Sequence, residues 1–304
     1  MTGGLRRALP WVIVVAVVGA AAGWFLTEPG TESEGALPNV AGDAERGRAI
    51  FTIGGCVSCH AAPDAKGEQK LVLTGGRSFV TEFGTFYAPN ISPDPEAGIG
   101  TWRAVDFVNA MKHGVSPDGR HYYPAFPYTS YARIKIEDLL DLWAYMKSLP
   151  ASPQANTPHA VGFPFSIRRG LGLWKRLYLD PAPVMQVGAD LERGRYLVEG
   201  PGHCGECHTP RSAIGGPDLS RWLSGAPNPD GEGTIPNLTP AGGDIGSWSE
   251  ADIAEYLKSG FTPDFDTAGG SMAEVVENTG LLSDEDRRAI ARYLKAIPPV
   301  GAAE

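Results

Sequence analysis

Cysteine and methionine are both scarce in this sequence, which has four cysteines and five methionines among its 304 residues. All four cysteines lie in two motifs, Cys56-Val57-Ser58-Cys59-His60 and Cys204-Gly205-Glu206-Cys207-His208, which leaves none for a structural disulfide or a separate catalytic thiol. A basic cluster is also missing. Lys and Arg number 26 against 35 Asp and Glu, a formal charge of −9, and no stretch is basic enough to neutralise a phosphate backbone. This balance argues against a nucleic-acid partner.

Each motif has the form C-x-x-C-H, the pattern of covalent haem c attachment, in which two thiols bind the porphyrin and the adjacent histidine ligates the iron. A thioredoxin-like redox pair needs only one C-x-x-C, and a zinc site shared by both pairs is the alternative that stays open. Neither requires a histidine after both second cysteines. The sequence therefore predicts two covalently bound haem c groups, with attachment and proximal ligation by Cys56, Cys59 and His60, and by Cys204, Cys207 and His208.

The chain after residue 40 repeats itself with a spacing of about 147 residues. The segments that recur in the same order are Glu45–Arg48 with Glu192–Arg195, Pro89–Pro93 with Pro236–Pro240, Ile99–Trp102 with Ile245–Trp248, and Ala144–Pro150 with Arg292–Pro298. Apolar residues follow a helical period and little alternates with a strand period. We predict a mainly α fold with two tandem cytochrome c domains, residues 41–150 and 188–304.

Three helices are expected around each haem, and capping residues set their predicted starts. The predicted N-caps are Asp43 and Asp190 for the first helix, Thr101 and Ser247 for the second, and Ser283 for the third helix of the second copy, which should end at Ile297. In the first copy the third helix is expected from about Glu137 to Leu149.

The second copy offers a sixth iron ligand. Met272 lies in Gly269–Ala273, a segment expected to form a loop just before the third helix, where its thioether would complete His/Met coordination. Core packing is the alternative role for this side chain, because methionine fills irregular gaps well. No other methionine lies near it in the sequence.

The first copy has Phe126 at the equivalent position, and phenylalanine cannot ligate iron. Met111 and Met146 fall at apolar helical positions and are expected in the core. His113 is expected at a helix end, where a cation suits the C-terminal dipole. His121 would reach either the iron or a haem propionate. Five-coordinate or water-bound iron, ligation by His121, and another donor therefore all stay open for this haem.

The N-terminus carries Arg6 and Arg7, followed by an uncharged run that begins at Ala8. The apolar segment Ala8–Leu26 is close to the ~20 residues that a helix needs to cross a bilayer, and the preceding arginines favour a cytoplasmic N-terminus. A cleaved signal peptide, with Ala20-Ala21-Ala22 as cleavage site, is the alternative. Residues 1–40 are thus expected to be a transmembrane anchor and tether in the bacterial cytoplasmic membrane, with the haem domains in the periplasm.

Beyond this anchor the sequence resembles membrane-anchored diheme cytochromes c related to the cytochrome c subunits of quinoprotein alcohol dehydrogenases and other periplasmic dehydrogenases. The resemblance rests on the two motifs, on Tyr123–Tyr128 and on Gly270–Val276. It implies passage of single electrons from a periplasmic dehydrogenase towards another cytochrome, a terminal oxidase or the quinone pool. Those subunits usually carry three haems and have Tyr-Pro-Ala-Met-Pro-Tyr in the first-domain loop, where this sequence has Phe126.

Residues 151–187 join the copies and contain the aromatic and basic segments Phe163–Arg169 and Leu173–Tyr178. We expect an interdomain strap, and a surface for a partner or a membrane is the alternative. For the whole chain we expect an electron carrier rather than an enzyme. The alternative is a diheme redox enzyme, peroxidase-like or a small-sulfur-compound dehydrogenase, with an open iron beside Phe126.

Overall fold

The structure is a computed structural model that describes residues 3–229, 231 and 233–301, with side chains from Pro10 onward. Its α-helices are α1 Gly3–Leu26, α2 Ala44–Ile53, α3 Cys56–His60, α4 Ala104–His113, α5 Tyr128–Tyr131, α6 Ile136–Met146, α7 Leu171–Tyr178, α8 Glu192–Glu199, α9 Gly205–His208, α10 Gly243–Ser247, α11 Glu250–Ser259, α12 Ser271–Thr279 and α13 Asp284–Ala296. Short strands form two antiparallel pairs, β1 Ser78–Thr81 with β2 Gly84–Tyr87, and β3 Ala226–Pro227 with β4 Thr234–Ile235. The prediction of a mainly α fold is confirmed.

The two copies repeat one helix packing. α2 packs against α6 in the first copy, and α8 packs against α13 in the second. A Cβ on Gly47 of α2 would lie 2.0 Å from the carbonyl oxygen of Asp141, and a Cβ on Gly194 of α8 would lie 2.0 Å from the carbonyl oxygen of Ala289. Any side chain at either glycine would therefore push the paired helices apart. This close approach explains why glycine recurs at equivalent positions of the repeat.

The arginine before each of these glycines forms an ion pair with the facing helix. Arg46 Nε lies 2.7 Å from Asp141 Oδ2, and Arg193 Nε lies 2.7 Å from Asp286 Oδ1. The Glu-Arg-Gly-Arg segment thus recurs in the sequence because the same helix contact forms in both copies.

Of the five predicted N-caps, two are correct and three are wrong. Asp43 accepts hydrogen bonds from the first turn of α2, and the Ser283 hydroxyl accepts one from the Asp286 N–H in α13, as predicted. In α8 the N-cap is Leu191, so Asp190 lies outside the helix.

The second helix of each copy begins after the predicted cap, so Thr101 and Ser247 are not N-caps. The start of α11 is set by a capping box, in which Ser249 Oγ accepts from the Asp252 N–H at 3.2 Å and the Asp252 carboxylate accepts from the Ser249 N–H at 2.9 Å. Three helices per copy is also too low a number. The additional short helices are α3, α5, α9, α10 and α12.

The predicted transmembrane segment Ala8–Leu26 falls within α1. Among the helices of the described residues, none is both long and apolar enough to cross a membrane.

The segment between the copies contacts both of them. The buried Trp174 of α7 lies against the Tyr128 ring of the first copy, with centroids 6.1 Å apart, and its indole N–H donates to the Ile214 carbonyl of the second copy at 2.8 Å. Lys175 Nζ donates to the Gly114 carbonyl oxygen at 2.7 Å and so covers the C-terminus of α4. Residues 151–187 therefore contact both copies, and we call them the strap below.

Replacing Gly47 with alanine should destabilise the protein, because the new Cβ would overlap the α6 backbone. We expect a loss of about 1–3 kcal/mol in the free energy of unfolding, measured by thermal or denaturant unfolding of the haem-loaded chain. Gly243→Ala is the matched control, since this helical glycine has open space around its Cβ position. Equal stability of the two variants would contradict the close approach of α2 and α6.

Candidate functional site

Both cysteine motifs include short helices. Cys56 to His60 form α3, while Cys204 is the N-cap of α9. None of the four cysteines forms a disulfide. Burial raises the pKa of Cys56 and that of Cys204 to about 12 in each case, so these thiols are protonated near neutral pH. A redox-active C-x-x-C needs a lowered thiol pKa, so this environment argues against thiol–disulfide chemistry.

A zinc site shared by the two motifs is also disfavoured. Within residues 3–229, 231 and 233–301, no group of three or more His, Cys, Asp or Glu side chains is arranged to hold a metal ion. The cysteines and histidines are instead placed as two separate sets, one in each copy of the repeat.

The histidine of each motif is fixed by the same hydrogen bond. His60 Nδ1 donates to the Pro89 carbonyl oxygen at 2.8 Å, and His208 Nδ1 donates to the Pro236 carbonyl oxygen at 2.8 Å. Burial also lowers the pKa of both imidazoles. The neutral tautomer with its proton on Nδ1 leaves the Nε2 lone pair available to a metal, and such an outer hydrogen bond raises ligand basicity. Two cysteines outside any disulfide, next to an imidazole held in this way, therefore fit haem c.

Met272 lies in the first turn of α12 rather than in the predicted loop before the third helix. Its half-buried side chain packs against the hydrophobic core, together with Cys204 and Phe126 among others. The helix begins here because Gly270, with φ of 55°, turns the chain just before Ser271. The prediction that Met272 lies in a loop is therefore wrong, because the residue belongs to a helix.

Phe126 occupies the equivalent place in the first copy and is surrounded by tyrosines. Its ring centroid lies 5.9 Å from that of Tyr122, 6.4 Å from Tyr128 and 5.6 Å from Tyr131. Met111 and Met146 are buried in the core, as predicted from their helical positions. No methionine thioether therefore occupies the Phe126 position.

His121 is buried and turned towards the N-terminal segment. Its Nε2 bonds to the Thr27 carbonyl oxygen at 2.9 Å, while Nδ1 has no hydrogen-bond partner among the described residues. His113 forms an ion pair with Glu32 at 3.3 Å, and burial lowers the pKa of this imidazole. Neither contact involves a cysteine motif.

Each motif is contacted by the other copy, through residues that sequence reasoning did not identify. Asn278 Nδ2 of α12 donates to Ser58 Oγ in the first motif at 3.0 Å. Thr129 Oγ1 and Ser130 Oγ of α5 donate to Glu206 Oε1 in the second motif at 2.8 and 2.7 Å. Ser58 and Glu206 hold the same position in their motifs. The helix that contains Met272 and the helix that follows Phe126 thus each form a hydrogen bond with the motif of the opposite copy.

The two motifs are also close to each other. Burial is the main cause of the raised pKa of Cys59, and the charges of Glu274 and Cys207 from the second copy raise it further. Charges act this way only at short range in a screened environment. The Tyr131 ring lies between the sets, 5.5 Å from the His203 ring, and its raised pKa arises first from burial and then from Cys56. The two predicted haem sites therefore lie near each other but remain two separate sets.

Comparison with known proteins identifies the chain. The model of the cytochrome c family matches residues 44–150 and 191–298, one match in each copy. A "Diheme cytochrome c-type" protein of Cereibacter sphaeroides is 54% identical over 298 residues, which are 97% of this chain and 100% of that protein. The cytochrome c subunit of gluconate 2-dehydrogenase from Pantoea cypripedii is 40% identical, over 83% of this chain and 59% of that subunit. The cytochrome c subunit of alcohol dehydrogenase (quinone) from Gluconacetobacter polyoxogenes is 38% identical, over 84% of this chain and 56% of that subunit.

These matches confirm the prediction of two haems, and the chain spans little more than half the length of the two dehydrogenase subunits. With a cytochrome c match on each copy, the chain belongs to the cytochrome c family as a diheme cytochrome c, with two covalently attached haem c groups in tandem domains related to cytochrome c subunits of quinone-type dehydrogenases.

Proposed function

We propose that this protein carries single electrons from a dehydrogenase towards the respiratory chain, without a substrate of its own. The observation that carries the proposal is the pair of adjacent sites, each with two cysteines outside any disulfide and a histidine held by a proline carbonyl. Haem c iron, when bound, accepts and releases one electron at a time. The names of relatives that serve gluconate and alcohol dehydrogenases support a dehydrogenase as donor. Another cytochrome or a terminal oxidase is the proposed acceptor.

The chain's own residues divide the work between attachment and orientation. The thiols that would form the thioethers are Cys56 and Cys59 in the first domain, and Cys204 and Cys207 in the second. His60 and His208 would ligate iron through Nε2, because the Nδ1 of each is committed to a proline carbonyl. The packed tyrosines around Phe126 would keep water from the first haem.

Met272 is the proposed distal ligand of the second haem, since it is a half-buried methionine of the second copy that packs against the core. A thioether ligand raises the reduction potential, so Met272→Ala should lower the potential of one haem. We expect at least a tenfold change in its reduction equilibrium, about 59 mV for one electron. A spectroelectrochemical titration, which should resolve two one-electron steps, measures this.

Met111→Leu is the control for this titration, because Met111 lies in the core of the first copy and has leucine, Leu257, as its counterpart in the second. Its two potentials should equal those of the wild type. If Met272→Ala also leaves both potentials unchanged, the ligand assignment is wrong.

A second function, redox catalysis at an open iron, is favoured by one observation. Phe126 stands where the second copy has Met272, and the imidazole Nε2 of His121 is already bonded to Thr27. An open iron would give the ferric protein a high-spin absorption band that shifts with cyanide or peroxide. Two low-spin haems that ignore both reagents would exclude this function.

The structure makes a specific prediction for His121. Because its Nε2 bonds to the Thr27 carbonyl rather than facing a motif, His121→Ala should leave the ferric absorption spectrum and both spin states unchanged, while lowering stability by about 1–3 kcal/mol. His60→Ala, which removes a proximal ligand, is the positive control. A new high-spin band in His121→Ala would instead establish His121 as the distal ligand of the first haem.

We further infer that α1 attaches the protein to the bacterial cytoplasmic membrane, with both haem domains in the periplasm. Haem is attached to C-x-x-C-H motifs outside the bacterial cytoplasm, so the chain must be exported. Large apolar side chains of α1 are exposed, including Trp11 at 72%, Val15 at 69% and Phe25 at 69%. An apolar surface of this kind is unfavourable in water and is suited to lipid.

Deletion of residues 1–26, with a cleavable export signal in their place, should move the haem-loaded protein from the membrane fraction to the soluble fraction. Fractionation with a carbonate wash and detection of haem by absorption measure this. If the full chain is already soluble and its mass shows loss of the N-terminal residues, these residues act as a cleaved signal peptide and the anchor is wrong.

A further inference from the structure

A cavity of about 380 Å³ opens beside the first motif, next to the proline whose carbonyl holds His60. The first domain and the segment between the copies both line it. The residues that matter for its chemistry are Tyr87, Arg120, Tyr123, Asn156, His159 and Arg168. His159 and Arg168 come from the strap, outside the residues matched by the cytochrome c family model.

The cavity is lined by cationic and polar groups, and no carboxylate is among the described residues that line it. The Arg168 guanidinium lies over the Tyr123 ring, 4.5 Å from its centroid, and Nη1 donates to the His121 carbonyl oxygen at 3.3 Å. No Asp or Glu in the described part of the chain forms an ion pair with Arg168, whereas Arg120 pairs with Asp118 at 2.6 Å. A half-buried arginine without a counter-ion is suited to an anion.

His159 adds a directed donor. The Tyr87 N–H donates to His159 Nδ1 at 3.1 Å, and burial lowers the pKa of this imidazole. The neutral ring therefore carries its proton on Nε2, which is free to donate to an anion. The guanidinium and this ring N–H together match the oxygens of a carboxylate.

We propose that this cavity binds the propionate carboxylates of the first haem, with Arg168 as their main counter-ion. The inference rests on the proposed function, because it requires the haem held by Cys56, Cys59 and His60. The cavity reaches that haem through Pro89, which lines it and accepts the His60 hydrogen bond. A buried carboxylate needs a cation as partner, and Arg168 of the strap supplies one, whereas Arg120 of the first domain is already paired with Asp118.

The test compares Arg168→Gln with Arg169→Gln in the full, haem-loaded chain. A nearby cation stabilises the reduced iron, because reduction removes one positive charge from the haem. Arg168→Gln should therefore shift the reduction equilibrium of one haem about tenfold towards the oxidised form, which lowers its potential by about 59 mV. The potential of the other haem should stay unchanged. It should also shift the propionate bending band in the resonance Raman spectrum. Arg169→Gln, which loses the same charge from a residue bonded to Trp24 and Thr27, should change neither.

Two further measurements make the outcome unambiguous. Arg168→Lys keeps the charge and should keep the wild-type potential, so a misfolded Arg168→Gln would not remove the test. Addition of acetate or phosphate to the wild type should have no effect. A potential that depends on either anion would overturn the inference, because the cavity would then bind a free anion.

Unchanged potentials and an unchanged Raman band in Arg168→Gln would also overturn the inference. The Met272→Ala titration separates this failure from a failure of the proposed function, because it reports on the second haem alone. A shifted potential in Met272→Ala with none in Arg168→Gln would leave two working haems and no role for Arg168.

Discussion

The arrangement of this protein depends on contacts that cross between its two copies at the cysteine motifs. α12 of the second copy is bonded to Ser58, and α5 of the first copy is bonded to Glu206. Burial disfavours the charge on Glu206, but Arg211 and the two hydroxyl donors nonetheless lower its pKa. Rotating one copy against the other would break both contacts at once and would leave this carboxylate without its two hydroxyl donors. The separation of the haem sites is therefore set by hydrogen bonds to the motifs themselves.

The strap extends this constraint to the N-terminus. Arg169 donates to the Trp24 carbonyl oxygen at 2.7 Å, and Arg176 donates to the Leu26 carbonyl oxygen at 2.6 Å. These carbonyls end α1, where no further helical N–H is available to them. The same short segment places Arg168 in the cavity beside the first motif. Orientation of α1 and completion of that cavity are consequently linked through neighbouring residues of one connector.

Local signals in the sequence predicted local structure well. The motifs and the caps Asp43 and Ser283 depend on residues close together in the sequence. The repeat is visible when the chain is compared with itself, so one sequence is enough to identify all of them. Ser247 was wrong because an equally good cap, Ser249, follows it, and Thr101 was wrong because the helix begins only after Arg103. Met272 was assigned to a loop because its helix has a glycine rather than a capping side chain before it. Propensity alone could not choose between adjacent starts.

Long-range contacts could not be predicted from one sequence in the same way. Glu206 and Asn278 stand at ordinary polar positions, and their partners are 76 or more residues away. The recurrence of Gly47 and Gly194 was visible as a repeat, but its cause, a backbone of the facing helix within reach of a Cβ, needed the fold. In each case the contact joins segments that are far apart in the sequence, and no sequence pattern indicates that they meet.

The hydrogen bonds between the copies also determine the order in which the two motifs are completed during synthesis and export. Thr129 and Ser130 precede Glu206 in the chain by 77 and 76 residues, so the partners of the second motif are synthesised and exported before that motif. Ser58 precedes Asn278 by 220 residues. The first motif must therefore wait for almost the whole polypeptide before its surroundings are complete, and the attachment machinery meets it first as part of an unfinished domain. The two haem sites are therefore alike in the folded protein but are completed at different stages of its synthesis and export.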